Sequence, residues 1–227
     1  MALSTEKKYK LISDFVGFDL VGFAADRYGK EYSLVMKGEL TSTLDDILNL
    51  CRHNRDGRSN LQYAQDLILG WILEDYIIER FQTSDVVFIK TGGDADRKFL
   101  VGTKVTSDSD YEVHISGNRF FVDLAHDFNL FWRNKRACHL RDNKLLNLMA
   151  KSKVAPTFLL GISIADGSCI LKHIHENMNK KYILCHYAYK KPAYEIPMPL
   201  EEFYDFTDFD IRILLKYKLI NDTKGFY

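Results

Sequence analysis

Apolar and polar positions alternate along this chain in two distinguishable rhythms. From 61 to 81, LQYAQDLILGWILEDYIIERF runs without proline and is apolar on most sides, which predicts a long, well-buried helix. Shorter runs rich in β-branched and aromatic residues predict strands: DVVFIK at 85–90, PTFLLGISI at 156–164 and KKYILCHYAY at 180–189. SDYEVHISGNRFFVDLAHD at 109–127 reads as two strands joined by a Gly117-Asn118 turn, and FLVGTKV at 99–105 as one more short strand. TSTLDDILNLCRHN predicts a short helix capped by Thr41 or Ser42, with Asp45 and Asp46 in its first turn. Between Lys135 and Lys151 the apolar residues Ala137, Leu140, Leu145, Leu148 and Met149 follow helical spacing. The segment DFDIRILLKYKLI near the end fits a helix or a strand.

The order helix, strand, strand, strand, helix, strand predicts an α/β fold with a mixed central sheet flanked by helices. Residues 59–175 form its core. Residues 1–58 are an N-terminal extension and candidate recognition element, and 176–227 supply C-terminal strands and a helix that complete the same domain. With 46% hydrophobic residues, the 227-residue chain can bury a sizeable core, which argues against disorder. Four dispersed cysteines without CxxC spacing fit reduced thiols in a cytoplasm. The opening MALSTEKKYK lacks the apolar run of a secretory leader, and no stretch approaches the ~20 apolar residues of a membrane span.

Net charge is zero, but its distribution is uneven. Seven Lys/Arg and one acid lie between Asn129 and Lys153, whereas six acids and no base lie between Glu195 and Asp210. Arg133, Arg136 and Arg141 in the first stretch, with Arg52, Arg55 and Arg58 in the polar loop RHNRDGRSN, are candidate phosphate contacts. The same basic helix read alone is an ordinary solvated face.

Two acids stand out. Asp123 sits among Phe120, Phe121, Val122 and Leu124 on a strand apolar on both faces, where a carboxylate needs a metal, a cation or a proton. Asp110 stands just before the partner strand, a position common in turn chemistry, yet a hairpin can bring the two together. Paired carboxylates repel unless neutralised, and Mg²⁺ suits one or two carboxylates plus waters. Glu74, flanked by Gly70, Trp71, Ile77 and Ile78, is expected to face a buried side, with Gly70 admitting another backbone. Asp75 and Glu79 read as a solvated edge. Asp94 and Asp96, in a glycine-rich loop, are rival cation ligands to Asp110. His173, His175, Cys185 and His186 include zinc-type ligands, though alternating histidines on a strand edge are commonly structural.

The G-x-x-x-E at 70–74, S-D-Y-E-V at 109–113 and V-D-L-A at 122–125 resemble the PD-(D/E)XK nuclease superfamily, as does the element order over roughly residues 60–166. The resemblance implies a restriction-endonuclease-like core. It further implies a Mg²⁺-dependent DNA endonuclease in which Asp110, Asp123, the Leu124 carbonyl and Glu74 serve the metal. Where the family motif expects lysine, two residues after the second acid, this chain has Ala125. The chemistry requires only a cation near the attacking water and phosphate, and Lys135, Lys144 and Lys104 are the candidates. A type II restriction enzyme acting as a homodimer in a bacterial, archaeal or phage-infected cell is the expected subclass. Phage, homing or junction-resolving nucleases, and a catalytically inactive nucleic-acid-binding module, are the alternatives.

Overall fold

The computed structural model describes residues 3–51, 57–93, 95–99, 109–186 and 191–217. The chain forms two compact units: Met1–Arg80 with Gly93–Thr106, and Phe81–Gly92 with Ser107–Tyr227. The predicted strand at 99–105 and the candidates Arg52, Arg55, Asp94 and Lys104 fall, apart from Phe99, outside the described residues.

The first unit is helical. Helices α1 (Thr5–Val16), α2 (Leu20–Tyr28), α3 (Lys30–Met36) and α4 (Ser42–Leu50) precede the long α5 (Asn60–Phe81). Polar caps set the boundaries: Ser4 accepts from Lys7 N, Asp19 from Val21 N and Gly22 N, and Thr41 from Leu44 N. An aromatic cluster joins Tyr28 and Tyr32 to Trp71 of α5, with Phe99 stacked on Tyr32. Beside it Arg97 bridges two acids of α5, 2.7 Å from Glu74 and 2.5 Å from Asp75. Glu74 is half-buried and Glu79 exposed, as expected, but Asp75 departs from its expected place. Asp75 is buried (5% exposed) and also accepts from Tyr28, so it does not lie on a solvated edge. The space around Gly70 is open, with no backbone pressed against it.

The second unit holds two sheets. In the larger, β1 (Val86–Lys90), β2 (Tyr111–Ile115) and β3 (Asn118–Asp127) run antiparallel. Strand β5 (Thr157–Ser163) joins β3 in parallel, and β6 (Ser168–Ile174) and β9 (Phe203–Asp205) extend the sheet antiparallel. The mixed sheet is thus ordered β1-β2-β3-β5-β6-β9, with β3 central. The β2–β3 turn is Ser116-Gly117, one residue earlier than expected. Ile115 pairs with Asn118, and both turn residues have positive φ (49° and 78°), as a primed two-residue turn requires. Asn118 instead braces the turn by donating to the carbonyls of Ile115 and Ser116.

The predicted helix at 135–151 is interrupted. A short α6 (Phe131–Lys135) ends at Arg136 in a left-handed conformation, β4 (Ala137–Arg141) follows, and only then α7 (Asp142–Lys151). Strand β4 leaves the main sheet to pair with β8 (Ala193–Pro197), which also pairs with β7 (Lys181–Ile183). Ala137 and Leu140 mimic helical spacing across this break, and short apolar runs do not discriminate the two periods. The strand expected at 180–189 is reduced to the three residues of β7, with 187–190 outside the described residues. Near the C-terminus, Ile211–Ile213 form a 3-10 turn rather than a strand.

Trp132, Leu145 and Leu148 pack with Leu159, Ile170 and Ile174 into an apolar core that covers one face of β5 and β6. That face needs Gly161: a Cβ there would meet the Trp132 ring at 2.8 Å and Ile170 at 3.1 Å.

Candidate active site

The ladder between β2 and β3 ends at Tyr111 opposite Val122. Beyond it, the Asp110 side chain replaces the strand: its Oδ2 accepts from the Leu124 N–H at 2.8 Å. This contact turns Asp110 toward β3 beside Asp123, thirteen residues later in sequence. A strand residue presents its N–H and C=O to the same neighbour, so the Leu124 carbonyl also faces the gap beyond the end of β2.

Asp123 is 2% exposed. Lysine arrives from α7, on which Leu145 and Leu148 are buried in the core. Lys144 Nζ lies 2.6 Å from Asp123 Oδ1 and 3.6 Å from Asp110 Oδ1. The contact with the buried Asp123 Oδ1 is a close ion pair. Burial, and then the charge of Asp110, hold the Asp123 carboxyl well above the usual range, against the pull of Lys144. Burial works against the charge of Lys144, but the two carboxylates outweigh it and raise its pKa.

One helical repeat further on, Lys151 donates to Ser109 Oγ at 2.9 Å and lies over the Phe121 ring at 4.6 Å. Helix α7 thus holds the two residues ahead of β2, through Lys144 on Asp110 and Lys151 on Ser109. Sequence reasoning missed Lys151; its spacing of seven from Lys144, two turns on one helix face, was the available signal. Nearby, burial pushes the Cys138 thiol up to about 12, and burial draws His126 down to about 4.

The remaining candidates have partners or positions of their own. Glu74 belongs to the first unit and is taken up by Arg97. Lys135 is exposed on α6 and makes no ion pair among the described residues, so Lys144 is the lysine found between the acids. Arg133 pairs with Asp166 at 2.5 Å, Arg58 with Asp66 at 2.7 Å, and Arg136 and Arg141 are exposed. Asp96 pairs with Lys98 at 3.7 Å. His186 bonds His139, and among the described residues His173, His175, Cys185 and His186 do not come together as a metal-holding group.

Among the described residues no three or more His, Cys, Asp or Glu side chains converge on a metal position. Two carboxylates with a strand carbonyl beside them still suit Mg²⁺, which keeps several waters and takes one or two protein carboxylates. Asp123 Oδ1, now paired with Lys144, and Asp110 Oδ1, which faces the same ammonium, are the carboxylate oxygens that would supply ligands for it.

No family model matches this sequence, and no curated protein matches it. Among solved structures, the Holliday junction resolvase Hjc of the archaeal hyperthermophile Archaeoglobus fulgidus is similar over 56% of this chain and 88% of its own. The TM-score is 0.38 and the sequence identity 9%. A likeness of that extent carries no argument about chemistry. Among the described residues, no helix is long and apolar enough to cross a membrane.

Proposed function

We propose that this chain is a Mg²⁺-dependent DNA nuclease whose working residues are Asp110, Asp123 and Lys144. The observation that carries the reading is the placement of one lysine ammonium within reach of two carboxylates, one of them buried, at the end of a hairpin ladder. When bound between Asp110 and Asp123, Mg²⁺ would activate water and offset charge on a phosphate. Asp110 keeps its orientation through the Leu124 N–H. Lys144, 20% exposed, has its cationic form favoured by the acids and stands where it can orient a nucleophile and face a phosphate oxygen. It fills the role that Ala125 leaves open on the strand.

A second reading has its own support. The ion pair at 2.6 Å already neutralises Asp123, which is what a binding module that kept the fold without the chemistry would need. Supercoiled plasmid separates the two. Purified protein with Mg²⁺ should nick or linearise it, EDTA should stop the reaction, and Asp123→Ala should remove cutting while retaining DNA binding. Vigorous cutting in EDTA, or by Asp123→Ala, would refute the nuclease assignment. Substrate form assigns the subclass: discrete fragments from linear duplex indicate a restriction enzyme, which should be dimeric in solution, and preferential cutting of four-way junctions indicates a resolving enzyme.

A further inference from the structure

A second concave site lies at the far side of the large sheet. It is a groove of about 570 Å³ between the end of β6, the 175–179 loop, β9 and the C-terminal turn. That volume is within the roughly 300–1,000 Å³ of small-ligand pockets. β6 is two strands from β3, about 10 Å across the sheet. His173, His175, Tyr204 and Tyr217 bring rings to the groove, while Asn177 and Asn179 bring amides.

The rings are ordered as a wall. His173 stacks on Phe158 with centroids 5.0 Å apart and planes 27° apart, His175 stands 5.0 Å from His173, and Tyr217 lies edge-on to Phe158 at 5.1 Å. Tyr204 is 41% exposed. The charges lining the groove cancel, because Lys172 and Glu202 pair at 2.6 Å. Burial, and then His175, lower the pKa of His173, which keeps its ring uncharged at neutral pH. Among the described residues that line the groove, a phosphate would find no uncompensated Lys or Arg. A flat, neutral ligand with hydrogen-bonding edges would find ring faces to stack on, and two amides that both donate and accept.

We propose that this groove takes an unpaired nucleobase of the nucleic-acid substrate, held by stacking on its ring wall and by the amides of Asn177 and Asn179. The proposal rests on the nuclease reading for its substrate but on none of the catalytic residues. It gives the β6–β9 edge a part in selecting single-stranded or distorted DNA over continuous duplex.

A single-stranded oligonucleotide carrying 2-aminopurine, whose fluorescence falls on stacking, tests it in EDTA with the whole chain. Wild-type protein should quench the probe saturably. Tyr204→Ala and the double variant Asn177→Ala/Asn179→Ala change exposed side chains and should keep the wild-type melting temperature. Each should weaken the quench about fivefold or more, the low end for loss of a base–aromatic contact. Absence of quenching by the wild type, or wild-type quenching by both variants, overturns the proposal. Plasmid cutting by the same preparations keeps the two ideas apart. Groove-dependent quenching without cutting supports the groove and removes the nuclease reading, and cutting without groove-dependent quenching removes the groove alone.

Discussion

Replacing Lys144 with methionine removes the cation between two acids while keeping most of the helix-side packing. Two charges 2.6 Å apart attract by about 6 kcal/mol at an effective dielectric near 20. Part of that offsets the cost of burying the ammonium, and breaking such a pair by deleting one partner costs about 3–5 kcal/mol. Protonation sets an independent ceiling. Keeping a carboxyl neutral costs about 1.4 kcal/mol per pH unit above its ordinary value near 3.9, or about 4 kcal/mol at pH 7 and about 1.5 at pH 5. The sign follows from the loss of Lys144, which alone among the main causes lowers the pKa of Asp123, so that the variant's carboxyl is held higher still by burial and Asp110. Stability linked to the protonated carboxyl is fully present below the unfolded value and is lost as pH rises through the folded one. Lys144→Met should therefore be destabilised by about 4 kcal/mol at pH 7 and by less than half of that at pH 5. Urea unfolding at the two pH values measures it. A deficit under about 1 kcal/mol at pH 7, or one equal at both pH values, would show that Asp123 does not depend on this lysine. Millimolar Mg²⁺ should restore part of the lost stability at pH 7 if the carboxylates hold the ion, since a ligand of the native state stabilises it by mass action.

Gly161→Ala should lower the melting temperature and cost about 1–3 kcal/mol, because its methyl group would collide with the Trp132 ring and Ile170; calorimetry unchanged from wild type would mean that the ring gives way freely. Arg97→Met should destabilise the helical unit by about 3–5 kcal/mol by stranding Asp75, whereas Tyr28→Phe, which removes one hydrogen bond to that acid, should cost about 1.5–3. Chemical denaturation ranks the two, and a larger loss for Tyr28→Phe would contradict the charge-based account.

Much of the sheet was readable because each strand carries its own evidence. DVVFIK and TFLLGIS are β-branched or apolar enough to need no partner for recognition, and the long apolar α5 could only be a helix. Asp123 was legible because an acid in a two-sided apolar strand has few explanations. Strand β4 was not legible: its identity depends on β8, more than fifty residues later, and on the left-handed Arg136 that breaks the helical run. Asp75 was misread for a similar reason. That acid is kept inside by Arg97, whose reach to α5 no local pattern encodes. Helices α1 and α2 went unread because their caps, Ser4 and Asp19, stand out only once the helix ends are known, whereas Thr41 ahead of α4 was legible.

A lysine two residues along β3 from Asp123 would be locked to it by the pleat of one strand. Carried on α7, the ammonium is placed by how that helix seats, and α7 is anchored next to β4, which is itself held by β8 from the C-terminal third of the chain. Spacing between acid and base is thereby handed from a single strand to the joint between α7 and β4. An ångström of sliding at that joint would open or close the ion pair with neither carboxylate moving. The small second sheet is in this sense a tuning peg for the site, and substitutions at the β4–β8 pairing would detune it at a distance.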